Sequence, residues 1–282
     1  MLTRVYGVAF ENKEELDKYL FMLPIVTWAW NKLGVDVLCF VPDRIGNNEE
    51  NLNDLRKAEL VTKTMQRTID MMYSIAIFKA PKHKEATYAQ CSRLFAASLD
   101  LPEEEQLVVS DIDMLFFSKD YIQPSRNGII DVYGADLVPP NQFPMCYLSG
   151  NVKTWRELIE YPKTYQQRLD DLVGVIECTD FKGNQWSLDQ NHAWNIITNS
   201  QSVSHIKHSR AKEGTQFSTR RIDRDDSFFM DRLNPDIIDY HCHRPAFQDD
   251  NFEKMMSVIK YFYPNDDLSW INDYKEQYKQ LL

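Results

Sequence analysis

Short apolar segments alternate with helical segments over the first 117 residues, and this alternation limits the folds that the chain can adopt. The apolar segments are VYGVAF (5–10), VDVLCFV (35–41), SIAIFKA (74–80) and LVVSDIDMLFF (107–117). Helical segments are expected between them, over 13–34, 48–72 and 86–99. Short, continuously apolar strands are typical of parallel sheets that are covered on both faces. The alternation therefore predicts an α/β fold in which helices flank a mixed, mostly parallel, doubly wound sheet.

The chain is expected to form a single domain. Its 282 residues contain no internal repeat and no linker rich in Gly, Ser or Pro. This length suits one large α/β domain. The second half is less regular than the first, and a C-terminal helical segment is expected over 251–282.

The charge and the cysteines exclude several classes of protein. The formal net charge is −10, and the five cysteines are scattered without a CxxC pair. Electrostatic nucleic-acid binders usually carry the opposite charge, so nucleic acid is not an expected partner. Scattered cysteines fit free thiols in a reducing compartment. The longest apolar stretch (19–30) is too short to span a bilayer, and the N-terminus lacks a signal-peptide pattern. We therefore expect a soluble, cytoplasmic protein without an integral membrane segment.

Two aspartates, Asp111 and Asp113, interrupt the apolar segment LVVSDIDMLFF. Unpaired carboxylates are costly in apolar surroundings. If LVVS is a strand of a parallel sheet, both aspartates lie at its carboxyl end, where open sheets bind ligands. In an extended chain the two carboxylates share one face and Ile112 points the other way. Oxygen ligands that converge from one side suit Mg²⁺ or Mn²⁺, so the triplet predicts a divalent-metal site.

A second triplet of the same pattern, Asp223 and Asp225, lies in the charged run RRIDRDD. A run of charges is usually a solvated surface segment. We therefore interpret this triplet as an exposed loop.

Four segments in order resemble the motifs of nucleotide-sugar-dependent glycosyltransferases of the GT-A fold, and most closely those of the glycogenin-like group. They are YAQCSRLFAASLDLPEEEQLVVSDIDMLFF (88–117), CYLSGNV (146–152), SLDQNHAWNII (187–197) and IIDYHCHRP (237–245). In that family the first segment corresponds to the helix, loop and D-x-D strand, and the second to the turn beside the donor sugar. The third corresponds to the start of the D-Q helix, and the fourth to the late strand that carries a histidine. The apolar strand VYGVAF is similar to the family's uridine-binding start.

The resemblance implies a GT-A (Rossmann-like) fold and a reaction. A sugar would pass from a UDP-sugar donor to a hydroxyl acceptor on a glycan or protein, with Mn²⁺ or Mg²⁺ assisting. The implied donor-binding residues are Val8, Tyr88, Arg93, Asp111, Ile112, Asp113, Ser149 and Gly150. The implied metal ligands are Asp111, Asp113 and one of His241 and His243, two histidines that would share a strand face. Residues 1–117 would form the nucleotide-binding half, 118–250 the acceptor and metal-completing half, and 251–282 the C-terminal helical segment.

Asp189 and Gln190 stand at the start of an apolar helix. Asp189 is a candidate general base for an inverting displacement, or a simple helix cap. In retaining relatives the D-Q pair instead faces the sugar, and Gln190 lies near the anomeric carbon. We expect inversion, because an aspartate at a helix start is a serviceable base. Trp186 is a candidate to stack on the acceptor sugar.

Two other functions remain open. Phosphatases of the haloacid-dehalogenase type also carry D-x-D after an apolar strand, although Leu115 stands where that family has Thr or Val. A non-catalytic carbohydrate- or nucleotide-binding module would keep the aromatic residues and need no base at Asp189.

Overall fold

A computed structural model describes residues 2–7, 17–43, 52–68, 73–81, 84–135, 138–159, 161–176, 185–209, 220–224 and 233–282. The strands are β1 (Leu2–Gly7), β2 (Asp36–Pro42), β3 (Tyr73–Phe78), β4 (Gln106–Val109), β5 (Met114–Phe116), β6 (Ile129–Tyr133), β7 (Leu148–Asn151), β8 (Ser204–His208), β9 (Arg221–Ile222) and β10 (Asp239–His241). The α-helices are α1 (Met22–Lys32), α2 (Leu52–Thr68), α3 (Glu85–Ser92), α4 (Val152–Leu158), α5 (Tyr165–Leu169), α6 (Leu188–Thr198), α7 (Asp249–Phe262) and α8 (Ser269–Lys279).

Seven strands form the main sheet, in the order β3-β2-β1-β4-β7-β6-β8. The pairs β1–β2, β1–β4, β2–β3 and β6–β8 are parallel. Strand β7 is antiparallel to both of its neighbours, β4 and β6. One strand therefore runs against the other six, and the predicted mixed, mostly parallel α/β sheet is confirmed.

The strand side chains alternate between two hydrophobic cores, one on each face of the sheet. Val37 and Cys39 of β2 lie in the core that also contains side chains of α1, α2, α7 and α8. Leu38 and Phe40 lie in the opposite core, which contains side chains of α3, α4, α5 and α6. Successive strand residues point to opposite faces, so a continuously apolar strand is what two covered faces require.

The apolar segment 107–117 does not form one continuous strand. It divides into β4 and β5, with a turn between them that contains Asp111 and Asp113. Strand β5 leaves the main sheet and pairs with β10 in a three-stranded sheet ordered β5-β10-β9. In that register Met114 faces His241, so the second sheet brings the late histidine beside the aspartate turn.

The segments predicted as strands over 35–41 and 74–80 agree with β2 and β3 to within two residues. The helices predicted over 13–34 and 48–72 contain α1 and α2, and residues 8–10, 13–16, 48–51 and 69–72 of the predicted elements lie outside the described residues. Two further segments differ from the prediction. The segment predicted as a helix over 86–99 becomes a 3₁₀ helix at Arg93–Ser98. The segment 146–152, similar to a turn in the GT-A family, contains strand β7. The predicted C-terminal helical segment is confirmed as α7 and α8. Among the described residues, no helix has the length and apolar character that crossing a membrane requires.

Candidate functional site

A cleft of about 270 Å³ lies beyond the carboxyl end of β4. In open sheets with parallel strands, ligands bind beyond this edge. The charged side chains that line the cleft are Asp111, Asp113, Arg93, Arg224, His241 and Arg244. They come from four separate parts of the chain and meet around the turn that follows β4.

Arg93 fixes the first aspartate of the turn. Its Nη1 donates to Asp111 Oδ1 at 2.6 Å and to the Ser110 carbonyl oxygen at 2.8 Å. Burial and the Asp113 charge raise the pKa of Asp111, but the charge and hydrogen bond of Arg93 together with the His241 charge outweigh them, and the pKa lies below its usual value. Asp111 is therefore ionised and held against Arg93 at neutral pH.

Behind the cleft, the same guanidinium binds Asp189. Arg93 Nη2 donates to Asp189 Oδ2 at 2.6 Å, and Arg93 Nε donates to the Gln90 carbonyl oxygen at 3.1 Å. Arg93 thus bridges two carboxylates while only 7% of its side chain is exposed. Because Arg93 donates to four protein acceptors, its side chain is a fixed part of the cleft wall. The resemblance implied instead that Arg93 binds the UDP-sugar.

Three basic groups surround the second aspartate of the turn. Asp113 Oδ2 lies 2.7 Å from Arg224 Nη1, 3.3 Å from Arg244 Nε and 3.3 Å from His241 Nε2. Burial raises the pKa of Asp113, but the charges of these three groups outweigh it and the pKa lies well below its usual range. Asp113 is therefore ionised at neutral pH.

A second carboxylate holds the other side of the His241 ring. His241 Nδ1 lies 3.2 Å from Asp223 Oδ1, while Nε2 faces Asp113. The backbone N–H of Cys242 also donates to the Asp113 carbonyl oxygen at 2.9 Å, which ties the turn to the end of β10. Burial lowers the pKa of His241, but Asp113 and Asp223 outweigh burial and raise the pKa to about 10.

We tested whether this donor set fits a divalent cation. Within the described residues, no group of three or more His, Cys, Asp or Glu side chains is arranged to hold a metal. The pair Asp113 and His241 does fit, because 3.3 Å between Oδ2 and Nε2 is close to the roughly 3 Å that separates adjacent ligands of an octahedral Mg²⁺ or Mn²⁺. Metal-binding histidines commonly donate their other N–H to a carboxylate, which is the position of Asp223. A bound ligand with phosphate oxygens would complete such a site.

The two candidate catalytic residues of helix α6 face different surroundings. Gln190 lines the cleft. Asp189 is fully buried, and its Oδ1 accepts from Gln90 Nε2 and from the Gln190 backbone N–H, both at 2.8 Å. Burial raises the pKa of Asp189 to about 6 despite the neighbouring Arg93. Because both carboxylate oxygens are bonded inside the protein, the general-base interpretation of Asp189 is not supported, and the residue positions Arg93 and Gln90.

Three implied donor-binding residues lie away from the cleft. Tyr88 is buried, donates to Asp170 Oδ1 at 2.9 Å and stacks on Phe78. Ser149 and Gly150 are internal to strand β7, where the buried Ser149 hydroxyl accepts from Gln106 Nε2 at 2.6 Å. The side chains of Tyr88 and Ser149 are bonded within the protein, and Gly150 allows close packing inside the sheet, so none of the three faces the cleft.

The remaining implied residues are placed as follows. Ile112 contributes to the lining of the cleft, and its side chain is buried in the core that contains α1. His243 lies past the end of β10 and its Nδ1 pairs with the Tyr240 hydroxyl at 2.7 Å. The structure thereby separates it from His241, which alone of the two histidines lines the cleft. Val8 lies outside the described residues.

Two aromatic residues line the cleft. Trp186 is 45% exposed, and its carbonyl oxygen accepts from Gln90 Nε2 at 2.6 Å. Tyr19 lies under the guanidinium of Arg244, with 4.9 Å between the ring centroid and Cζ, and its hydroxyl is hydrogen-bonded to Arg244 Nη1. Trp186 therefore offers an open aromatic surface, whereas the Tyr19 ring supports a charged side chain.

Sequence reasoning missed the contribution of the charged run RRIDRDD. The interpretation of this run as an exposed loop is wrong for Asp223 and Arg224, which contact His241 and Asp113; Asp225 lies outside the described residues. Arg221 of the same run forms a buried, two-pronged ion pair with Asp239. Strand β9 has only two residues and both are buried, so it leaves no periodic signal in the sequence that could have revealed these contacts.

The sequence matches no protein-family model. A search of curated proteins finds no match either. The fold and the arrangement of the site therefore carry the functional argument.

Proposed function

We propose that the protein is a glycosyltransferase of the GT-A type that transfers a sugar from a UDP-sugar to a hydroxyl acceptor on a glycan or protein. The observation that carries the proposal is the cluster at the carboxyl end of β4. There, in a chain of net charge −10, Arg93, Arg224, Arg244 and His241 converge on Asp111 and Asp113. Basic groups around paired carboxylates suit a ligand that combines a divalent cation with phosphates.

In this proposal Asp113 and His241 hold Mn²⁺ or Mg²⁺, and Asp223 keeps the His241 ring oriented. Asp111, tied to Arg93, adds negative charge beside the cation. When bound, the metal acts as a Lewis acid that offsets the charge developing on the leaving diphosphate. Arg224 and Arg244 bind and orient the phosphates.

The reaction forms a bond between the acceptor oxygen and the anomeric carbon and breaks the bond from that carbon to the diphosphate, and the hydroxyl proton passes to an oxygen of the departing diphosphate. Among the described residues that line the cleft, only Asp111 and Asp113 carry carboxylates. The buried position of Asp189 removes the basis for expecting inversion. Gln190 faces the cleft, as the D-Q pair does in the retaining relatives, and we therefore propose that the donor's anomeric configuration is retained.

The acceptor is proposed to bind against Trp186. A ring that is 45% exposed at a cleft can stack on the apolar face of a sugar. Tyr19 and Arg244 lie in the same cleft. Tyr19 supports the Arg244 guanidinium, whose positive charge would lie near the phosphates of the bound donor.

The test is a panel of nucleotide sugars offered to the purified protein with and without Mn²⁺. We expect a UDP-sugar to bind and to be hydrolysed slowly in a Mn²⁺-dependent manner, as measured by calorimetry and by NMR of the released sugar. Asp113→Asn should abolish Mn²⁺-dependent binding, whereas Asp120→Asn, which removes the same charge from an exposed residue, should not. Failure of every UDP-sugar to bind, or equal binding by Asp113→Asn, would overturn the proposal. Binding without any hydrolysis or transfer would indicate a binding module, and release of inorganic phosphate from phosphomonoesters would indicate a phosphatase.

A further inference from the structure

One oxygen atom, Asp113 Oδ2, is shared by three basic groups. Arg224 Nη1 lies at 2.7 Å, and Arg244 Nε and His241 Nε2 each lie at 3.3 Å. His241 has a second carboxylate partner in Asp223, and the Asp111 charge also acts on Arg244. Nearby charges in a partly buried site interact strongly because water screens them poorly. A further cation at this oxygen therefore competes with one of the three groups.

The three arginines of the cleft differ in how firmly they are held. Arg93 binds four protein acceptors and is 7% exposed. Arg244 rests on the Tyr19 ring and bonds to its hydroxyl. Arg224 has 21% of its side chain exposed, and the described residues show it bound to Asp113. Arg224 is thus the guanidinium that can leave Asp113 at the smallest cost in protein contacts.

A divalent cation at Asp113 and His241 would need the same oxygen that Arg224 now contacts. Two positive groups that share one carboxylate oxygen repel each other, so the cation and the guanidinium compete. A diphosphate bound to the cation would offer new oxygens to the displaced side chain. The planar, forked guanidinium matches phosphate oxygens in two parallel hydrogen bonds, which a lysine cannot reproduce.

We infer that Arg224 is an exchangeable counter-ion: it binds Asp113 in the ligand-free protein and transfers to the diphosphate when metal and nucleotide bind. The inference rests on the proposed function, because it requires a metal and a diphosphate in this cleft. It assigns two opposite effects to Arg224. Before the nucleotide binds, Arg224 weakens metal binding by competing for Asp113, and afterwards it strengthens nucleotide binding by contacting the diphosphate. A purely structural Arg224 would produce neither effect.

The experiment uses the full chain and two probes, Mn²⁺ alone and UDP in saturating Mn²⁺. The affinity for Mn²⁺ is measured from the electron paramagnetic resonance signal of the free ion, and the affinity for UDP by calorimetry. Arg224→Met should bind Mn²⁺ alone about tenfold more tightly and bind UDP about tenfold more weakly than the wild type. Arg224→Lys keeps the charge, so its Mn²⁺ affinity should stay near the wild-type value while its UDP affinity falls.

The matched control is Arg220→Met, which removes the same charge four residues earlier. The Arg220 side chain lies over the Tyr121 ring and donates to the Asp236 carbonyl oxygen. It should leave both affinities unchanged. If Arg224→Met matches this control, or shifts the two affinities in the same direction, the inference is wrong while the proposed function stands. If the wild-type protein binds neither Mn²⁺ nor UDP, the proposed function and this inference are both wrong.

Discussion

The buried carboxylate of Asp189 binds the guanidinium of Arg93, with 2.6 Å between Oδ2 and Nη2. Asp189, at the start of helix α6, therefore fixes a side chain in the wall of the cleft and does not itself line the cleft. Arg93 in turn holds Asp111 at 2.6 Å. The first aspartate of the D-x-D turn is therefore positioned through two successive ion pairs. The second aspartate, Asp113, is positioned by its own ion pairs with Arg224 and Arg244.

Asp189→Ala should destabilise the protein strongly. It leaves the buried Arg93 with an unpaired N–H group and removes one of the two acceptors of Gln90 Nε2. Breaking one partner of a buried ion pair costs about 3 kcal/mol or more. Urea unfolding should show this loss, whereas Gln190→Ala, one residue along and facing the cleft, should change the free energy of unfolding by less than about 1 kcal/mol. A loss of turnover with unchanged stability would instead restore Asp189 as a general base.

The stability of the metal-free protein should fall with rising pH because of His241. The folded-state pKa of about 10 lies above the unfolded value of 6.5. The folded protein therefore binds this proton more tightly, and the resulting stabilisation is complete below pH 6.5 and is lost as the pH rises toward 10.

The measurement is urea unfolding in the presence of a chelator. Between pH 6.5 and 9.5 the wild type should lose about 4 kcal/mol more than His241→Gln does. His243→Gln, whose ring pairs with Tyr240 instead of the aspartates, should keep the wild-type dependence. Parallel curves for the wild type and His241→Gln would show that Asp113 and Asp223 do not retain a proton on this ring.

Trp186→Ala should weaken acceptor binding and leave the donor unaffected. The side chain is 45% exposed, so its removal should cost little stability. Loss of aromatic stacking is worth about 1 kcal/mol, which raises the KM for the acceptor roughly fivefold. Once an acceptor is identified, initial rates should show this change with an unaltered KM for the UDP-sugar, and Trp186→Phe should largely restore the acceptor KM. An altered donor KM would place Trp186 on the nucleotide side of the cleft.

Gly150→Ala should affect stability but not donor binding. A Cβ at this position would lie 2.5 Å from Ile130 Cδ1 and 3.5 Å from Trp155 Nε1 inside a packed core. Overpacking of this kind costs about 1–3 kcal/mol. Thermal unfolding should show the loss, while the affinity of the remaining folded protein for UDP in Mn²⁺ should equal that of the wild type. A selective loss of UDP affinity would mean that Gly150 contacts the donor.

Much of the fold could be predicted from the sequence because its signal is local. The segments 35–41 and 74–80 are mostly apolar, and each forms a strand whose ends shift by one or two residues. Strand β2 has both faces covered, which accounts for its run of apolar residues, whereas β3 lies at the edge of the sheet and leaves Ile75 and Ile77 exposed. The break between β4 and β5 was not predicted, because the turn at Asp111 and Asp113 depends on ion pairs with residues distant in sequence, among them Arg224 and Arg244.

The candidate site was predicted only in part, for a related reason. Asp113 was singled out from its apolar setting, and the resemblance left open whether His241 or His243 joins it; the structure places His241 3.3 Å from Asp113. Asp223 and Arg224 were assigned to a solvated run because the charges that they neutralise lie elsewhere in the chain. Ser149 resembled a sugar-binding turn, since a short motif does not reveal that its hydroxyl is buried against Gln106. Local composition indicates polarity, whereas burial and pairing are set by tertiary structure.

The central claim is that Asp113 and His241 bind a divalent cation together with a nucleotide diphosphate. The most direct test is a crystal structure of the protein grown with Mn²⁺ and UDP, with data collected at the manganese absorption edge. The account predicts an anomalous peak about 2.2 Å from both the Asp113 carboxylate and His241 Nε2, with the diphosphate oxygens completing the coordination. An anomalous peak elsewhere, or UDP bound outside this cleft, would contradict it.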